Sequence, residues 1–327
     1  MSNPRLSLAL EGALNLPDDG RIVVFGAPEG ADLSALPKAR VTVVQGLYPA
    51  HLYWARMGYD VAVQAEGTFA AAVVFVPRAK AAVRALLHEA ARVTDGGLIV
   101  VDGQKTDGID SILKALKGVT TLDGVISKAH GKIAWFTGGD FTGWQAQDTV
   151  LEGGFITRPG VFSADGVDKG SAALVAALPA TITGRVADLG AGWGYLARDI
   201  LTREGVTALE LIESDHAALD CARRNIDDDR ATFVWGNVTT HICKALCDVV
   251  VSNPPFHVGR AGDPGLGRAF IRAACGMLKP TGTLWMVANR HLPYEAELNE
   301  LFREVEEVGG TSGFKVLRAS KPRRQKR

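Results

Sequence analysis

The chain has 327 residues, 47% hydrophobic and 22% charged, with lysine plus arginine and aspartate plus glutamate balanced at 36 each. That length suits two domains better than one core, and the zero net charge excludes a polycation, so a nucleic-acid partner would have to be met by a local basic patch. No run approaches the ~18 apolar residues of a membrane span, the opening MSNPRLSLAL lacks the features of an export signal, and Cys221, Cys243, Cys247 and Cys275 contain no CxxC pair. A cytoplasmic monomer with reduced cysteines, no metal site and no membrane association is expected.

Along the chain the clearest feature of organisation is an internal repeat. "GRIVVFGAPEGADLSAL" (20–36) runs from an apolar strand through a turn toward a helix, and "RVADLGAGWGYLARDI" (185–200) does the same. "VVFVPRAK" (73–80) is echoed by "VVSNPPFH" (250–257), and "AAVRALLHEAARVTDGGLIVVDGQK" (81–105) by "RAFIRAACGMLKPTGTLWMVANRH" (268–291). Aligning Gly26 with Gly190 sets Val24 against Asp188 and Pro28 against Gly192, and the later echo sets Val76 against Asn253. The first half thus keeps the scaffold and loses the polar groups. The Gly-rich "TGGDFTGWQAQDTVLEGG" (137–154) reads as the junction.

In the second half the predicted elements are strand 185–189, helix 194–203, strand 208–213, helix 215–225, strands 231–236 and 247–252, helix 267–278, strand 282–288, helix 294–304, and a closing pair around 305–308 and 313–319. Alternating strands and helices predict an α/β fold with a mostly parallel sheet covered on both faces, and "GGTSG" near the end predicts an antiparallel C-terminal pair. Ligands of such sheets bind at the carboxyl ends of the strands.

Three motifs sit at those ends. "DLGAGWG" (188–194) places Gly190, Gly192 and Gly194 between a strand and a helix, where glycine lets the backbone turn sharply and approach a ligand. The GxGxG spacing after an aspartate is closer to an S-adenosylmethionine site than to the GxGxxG of a pyrophosphate site. Glu213 ends the next strand 23 residues beyond Gly190, where an acid would hold ribose hydroxyls. Asn237, after the third strand, suits an adenine edge or a plain turn. Asp188 is read as a helix cap or, because the glycine turn intervenes, as a group behind the ligand or at its amino end. The third motif is Asn253-Pro254-Pro255-Phe256. Proline fixes φ, removes a donor and extends the residue before it, so this rigid corner presents the Asn253 side-chain oxygen and the Pro254 carbonyl as paired acceptors for a planar exocyclic amine. Phe256 offers a face for stacking.

With these residues in hand, the chain resembles the class I, S-adenosylmethionine-dependent amino methyltransferases. "RPGVFSADGVDKGSAAL" (158–174), "SNPPFHVG" (252–259) and "FKVLRA" (314–319) make it resemble, more closely, the RsmC-type small-subunit rRNA guanine-N2 methyltransferases. The resemblance implies two tandem Rossmann-like domains: a degenerate, cofactor-free copy over 1–150 and a catalytic domain over 151–327. It implies methyl transfer to a guanine N2 of 16S rRNA, with rRNA or the small subunit as partner. Asn253 and Pro254 would hold the amine, with Asn253 beside the methyl donor, and Phe256 would stack on the base. Asp188, Gly190, Gly192, Glu213, Asn237 and Asn253 would bind the cofactor. Phe162, Asp168, Ser171, Phe256, His257 and Arg260 would meet substrate, and Phe162, Asp168 and Ser171 would also close over the cofactor. Glu213 stands where aspartate is usual, and "FHVG" where "FHDG" is more common. Arg158, Arg260, Arg268 and Arg290 are candidates for phosphate, and "RASKPRRQKR" (318–327) holds six basic residues in ten. Two rival readings remain at this stage. One is another enzyme with the NPPF motif, acting on a large-subunit rRNA guanine, an adenine N6 or a protein glutamine; the other is a non-catalytic RNA-binding assembly protein.

Overall fold

The computed structural model describes residues 4–255, 257–258, 261–262 and 264–323, with the side chains of 256–263 outside the description. It divides into two compact units, Met1–Asp148 with Arg158–Gly160, and Thr149–Thr157 with Val161–Arg327. Among the described residues no helix is long and apolar enough to cross a membrane.

In the first unit α1 (Pro4–Glu11) precedes β1 (Ile22–Phe25), β2 (Val41–Val44), α2 (Tyr48–Arg56), β3 (Asp60–Ala62), β4 (Ala71–Phe75), α3 (Lys80–Thr94), β5 (Leu98–Gln104), α4 (Ile109–Leu116), β6 (Gly124–Lys128) and β7 (Gly131–Thr137). The sheet order is β3-β2-β1-β4-β5-β7-β6. The second unit opens with a small ladder of β8 (Thr149–Val150) and β9 (Ile156–Thr157). There follow α5 (Lys169–Ala177), β10 (Thr181–Leu189), α6 (Tyr195–Leu201), β11 (Glu204–Glu213), α7 (His216–Asn225), β12 (Ala231–Trp235) and β13 (Cys247–Ser252). A two-residue pair, β14 (His257–Val258) with β15 (Ala261–Gly262), leads to α8 (Pro264–Met277), β16 (Leu278–Asn289), α9 (Glu295–Leu301), β17 (Phe302–Gly310) and β18 (Phe314–Pro322). Its sheet order, β12-β11-β10-β13-β16-β18-β17, is that of the first sheet repeated. In both, only the strand next to the C-terminal edge, β7 and β18, runs against the others, pairing antiparallel with each neighbour.

The strands are apolar because both faces are covered. Ala187, Leu189, Val250, Leu284 and Met286 project into one core layer of the second unit. Val186, Leu211, Val251, Trp285 and Val287 project into the layer on the opposite face, following the period of two. Asp188 falls in register between Leu211 and Val251 on that second face. The predicted elements all occur, with longer strands than local pattern suggested: β10 starts at Thr181, and α9 stops at Leu301 because Phe302 already belongs to β17.

The ladders fix the repeat. Gly26 donates to the Val44 carbonyl as Gly190 does to that of Ile212, both at about the same short distance (3.0 and 2.9 Å), so Val24 does occupy the place of Asp188 and Pro28 that of Gly192. The later echo is one residue out of register. Val73 pairs with Val24 as Val251 pairs with Asp188, which puts Phe75, not Val76, in the place of Asn253. The C-terminal basic stretch is also largely not a tail. Arg318 and Lys321 lie in β18 and pair with Glu306 and Glu304 of β17, and Arg323 donates to the Phe302 carbonyl; residues 324–327 lie outside the described residues.

Gly194, the N-cap of α6, has φ +90°, and a Cβ there would sit 2.9 Å from Ile226 Cδ1 and 3.3 Å from Ala222 Cβ. Backbone strain at such a position is worth about 1–3 kcal/mol. Gly194→Ala is therefore expected to lower the urea unfolding free energy by that order, and an unchanged midpoint would show that the turn relaxes freely.

Candidate active site

β10 and β13 are neighbours from which the strand order departs in opposite directions, and open α/β sheets bind ligands outside the carboxyl ends of such strands. Here the chain leaves β10 through the glycine turn and leaves β13 through Asn253-Pro254. The amides of Gly190 and Ala191 both bond the Ile212 carbonyl. Gly192 then has φ +56° with no atom within 4 Å of the place a Cβ would take, so its backbone borders open space.

Glu213, at the end of β11, is buried and spread over backbone amides. Its Oε2 accepts from Gly192 at 2.8 Å, and its Oε1 accepts from Ser214 and Asp215 at 2.7 and 2.8 Å. Asp188 is wholly buried and neither carboxylate oxygen has a hydrogen-bond partner. Desolvation and the Glu213 carboxylate push its pKa up to about 8; the Ala197 amide opposes this without the geometry of a full hydrogen bond. Burial and Glu213 similarly raise Asp215, the N-cap of α7, to about 6.

Across the cleft, Asn253 is tied to the start of α5. Its Nδ2 donates to Asp168 Oδ2 at 2.9 Å and to Ser171 Oγ at 2.8 Å. Asp168 is the N-cap of α5, and the same Oδ2 accepts from the Ser171 amide at 2.8 Å. With both N–H groups facing oxygens, the amide orientation is determined by the network. Its Oδ1 is buried and has no partner. Ser252, just before it, donates to the Leu189 carbonyl at 2.8 Å, holding the ends of β13 and β10 together.

The structure thus brings Asp168, Ser171 and Asn253 into one cluster, which with Gly190, Gly192 and the 62% exposed Phe162 lines a single cleft. Asp188, Glu213 and Asn237 lie outside that cleft wall. Asn237 Oδ1 closes a turn on the Thr239 amide and hydroxyl. Of the arginines expected at phosphate, Arg158 pairs with Asp148, and Arg290 pairs with Glu307 while donating to the Thr311 and Phe314 carbonyls. Arg268 is exposed on α8. Phe256 and Arg260 lie outside the described residues, and His257 is described in its backbone alone. Sequence reasoning missed Trp193, whose Nε1 donates to the Phe162 carbonyl at 2.9 Å and whose ring meets Phe155 edge-on at 5.0 Å. A tryptophan between two glycines of a turn was the available signal.

A doubly wound sheet with a glycine turn and an Asn-Pro corner on adjacent strand ends defines a class I methyltransferase-like protein. The "Methyltransferase small domain" family model matches residues 152–318, and "Methyltransferase small domain N-terminal" matches 18–129. The ribosomal RNA small subunit methyltransferase C of Cronobacter sakazakii is 32% identical over 70% of this chain and 69% of its own length. That of Shewanella loihica is 29% identical over 76% of each. The 16S rRNA N2 G1207 methyltransferase (RsmC) of T. thermophilus, solved in complex with AdoMet and guanosine, superposes with a TM-score of 0.80 at 25% identity, covering 98% of this chain and 92% of that one. The chain belongs to the methyltransferase small domain family and, within it, to the RsmC-type enzymes.

Asp188 sets a pH dependence of stability. An acid whose folded pKa is raised contributes fully below its unfolded pKa near 4, and that contribution is lost as pH rises toward its folded value of about 8. Asp188→Asn is therefore expected to stabilise the ligand-free protein by an amount that grows between pH 5 and pH 8, reaching the order of 1–3 kcal/mol for a buried unsatisfied group. Thermal melts across that range check it: a gain independent of pH would mean that Asp188 does not titrate there.

Proposed function

We propose that this chain transfers a methyl group from S-adenosylmethionine to the exocyclic N2 amine of a guanine in the 16S rRNA of the small ribosomal subunit. The observation that carries the reading is the Asn253 side chain: both N–H groups are consumed by Asp168 and Ser171, and the buried Oδ1 is left as an acceptor with no donor. A buried unmet acceptor is costly, so it marks a place where a ligand donor belongs. An amine N–H fills it, with the Pro254 carbonyl as the second acceptor.

The residues also fit the cofactor. Open space beside Gly192 admits a ligand against the backbone, and Glu213 Oε2 has a single amide partner, leaving lone-pair capacity for a hydroxyl. In this reading Gly190, Gly192, Glu213 and Asn237 hold the cofactor, and Asn253 borders its methyl group without anchoring it. Asp188, which does not line the cleft, acts through the turn above it. S-adenosylmethionine supplies a methyl already activated by a sulfonium, so the protein need only place the acceptor nitrogen. Asn253 and Pro254 hold its two hydrogens and aim its lone pair, an effect that grows as the nitrogen pyramidalises toward the transition state. The product proton leaves to water. Phe256 is assigned to stacking and Phe162, at the cleft mouth, to covering the bound base. A guanine within folded RNA must be unpaired or extruded to enter.

Guanine N2 is favoured over adenine or glutamine by the guanosine in the T. thermophilus complex and by the rRNA specificity in the relatives' names. The intact Asn253 cluster disfavours a non-catalytic assembly protein. The first unit, with Val24, Pro28, Gln45 and Phe75 in the places of Asp188, Gly192, Glu213 and Asn253, is assigned a role in positioning the catalytic unit or its RNA.

Asn253→Ala is expected to lower kcat by about 10²–10³, the loss typical of one preorganised transition-state contact, while calorimetry finds cofactor affinity nearly unchanged. Equal loss of both would make the residue structural. The same titration of the wild type should give one S-adenosylmethionine per chain, and two sites would refute the assignment of the first unit. Mass mapping of rRNA from a deletion strain should show a single missing methyl on a small-subunit guanine, and an unchanged map would reject the function.

A further inference from the structure

Away from the cleft, the fold assembles a second group of side chains. Glu210 lies in β11, His241 and Cys243 lie on the connection from β12 to β13, and Cys247 is the first residue of β13. His241 Nε2 and Glu210 Oε1 are 3.0 Å apart, and one ligand atom from each of Glu210, His241 and Cys243 falls within 4.8 Å of the others. Cys247 is the near neighbour of the Cys243 thiol. Sequence spacing hid this group, since the cysteines form no CxxC pair and Glu210 is some thirty residues away; only the pairing of β11 beside its neighbours closes the set.

A tetrahedral zinc ion with bonds of about 2.0–2.3 Å to nitrogen, oxygen and sulfur holds its ligand atoms roughly 3.3–3.8 Å apart. His241 Nε2 and Glu210 Oε1, 3.0 Å apart, would need to open only slightly to reach that range, and the Cys243 sulfur lies within 4.8 Å of both. Carboxylate, imidazole and thiol together suit a borderline cation and not calcium or magnesium, which favour all-oxygen shells. A carboxylate and a thiolate would neutralise a divalent charge. Cys247 is fully buried next to Cys243, which suits it to hydrogen-bond the sulfur rather than to bind metal. Glu210 and His241 keep 13% and 18% of their side-chain surface, giving an entry path.

We propose that Glu210, His241 and Cys243 bind one divalent cation of the zinc class, with Cys247 hydrogen-bonded to the ligating sulfur and the fourth position taken by water. The ion would pin the β12–β13 connection, which begins at Gly236, to β11. This site is independent of the methyl-transfer reading.

The full chain, purified with chelator and reducing agent, is titrated with Zn²⁺ and separately with Co²⁺. One metal per chain is expected, and the cobalt protein should show visible bands of tetrahedral intensity with a sulfur-to-cobalt charge-transfer band. Outer contacts to metal ligands are typically worth about 10–100-fold in affinity, so Cys243→Ser and His241→Ala should each weaken Zn²⁺ binding at least 100-fold. Cys275→Ser, whose thiol instead bonds the Leu301 carbonyl, should leave it unchanged. The wild-type spectrum decides even where a variant misfolds. No stoichiometric binding, a cobalt spectrum without the sulfur band, or Zn²⁺ affinity retained in Cys243→Ser would overturn the proposal.

Discussion

Asn253 spends both of its amide hydrogens on the first turn of α5, and much of the cleft depends on that choice. The Asp168 carboxylate serves two masters through one oxygen, capping α5 and orienting Asn253. Because the cap and the amide share an acceptor, the entry of α5 and the exit of β13 cannot move independently. The prolines after Asn253 remove the backbone freedom that would let it swing, and Ser252 ties the same corner to the end of β10. The result is an oxygen held in place by groups that are not themselves reacting, which is the condition for preorganised electrostatics.

The two sheets show what is needed for the scaffold and what is needed for the site. Glu213 and Gln45 occupy equivalent places, and each accepts the backbone amide two residues on, from Asp215 and Leu47. Gln45 completes its bonding by donating to the Ala27 carbonyl at 2.9 Å. Glu213, an acceptor only, takes the Gly192 amide instead. The amide thus closes its own turn, whereas the carboxylate retains capacity for an outside donor. Val24 for Asp188 and Phe75 for Asn253 complete the conversion of polar positions into apolar ones.

Most of the fold was legible because both sheets are built from buried strands whose apolar runs and glycine turns carry strong local signals. The exceptions have physical causes. The echo of residues 73–80 slipped by one because uniform valine runs contain nothing to set a register; only ladder pairing does. The basic stretch from Arg318 looked like a solvated tail because its neutralising partners, Glu304 and Glu306, stand on the adjacent strand rather than nearby in sequence. Asn253, Asp168 and Ser171 were expected at one site through resemblance, but their shared oxygen could not be read from residues separated by more than 80 positions. A separation of 31 positions likewise concealed the meeting of Glu210 with His241.

The repeated strand order has a consequence for how the chain reaches this state. Tandem units of one topology are prone to exchange elements as they emerge and collapse. Here an exchanged central strand would meet an unsuitable partner layer: β13 placed in the first sheet would part Asn253 from Asp168 and Ser171, which take its amide hydrogens. The residues by which the two copies differ therefore also make the two sheets poor templates for each other.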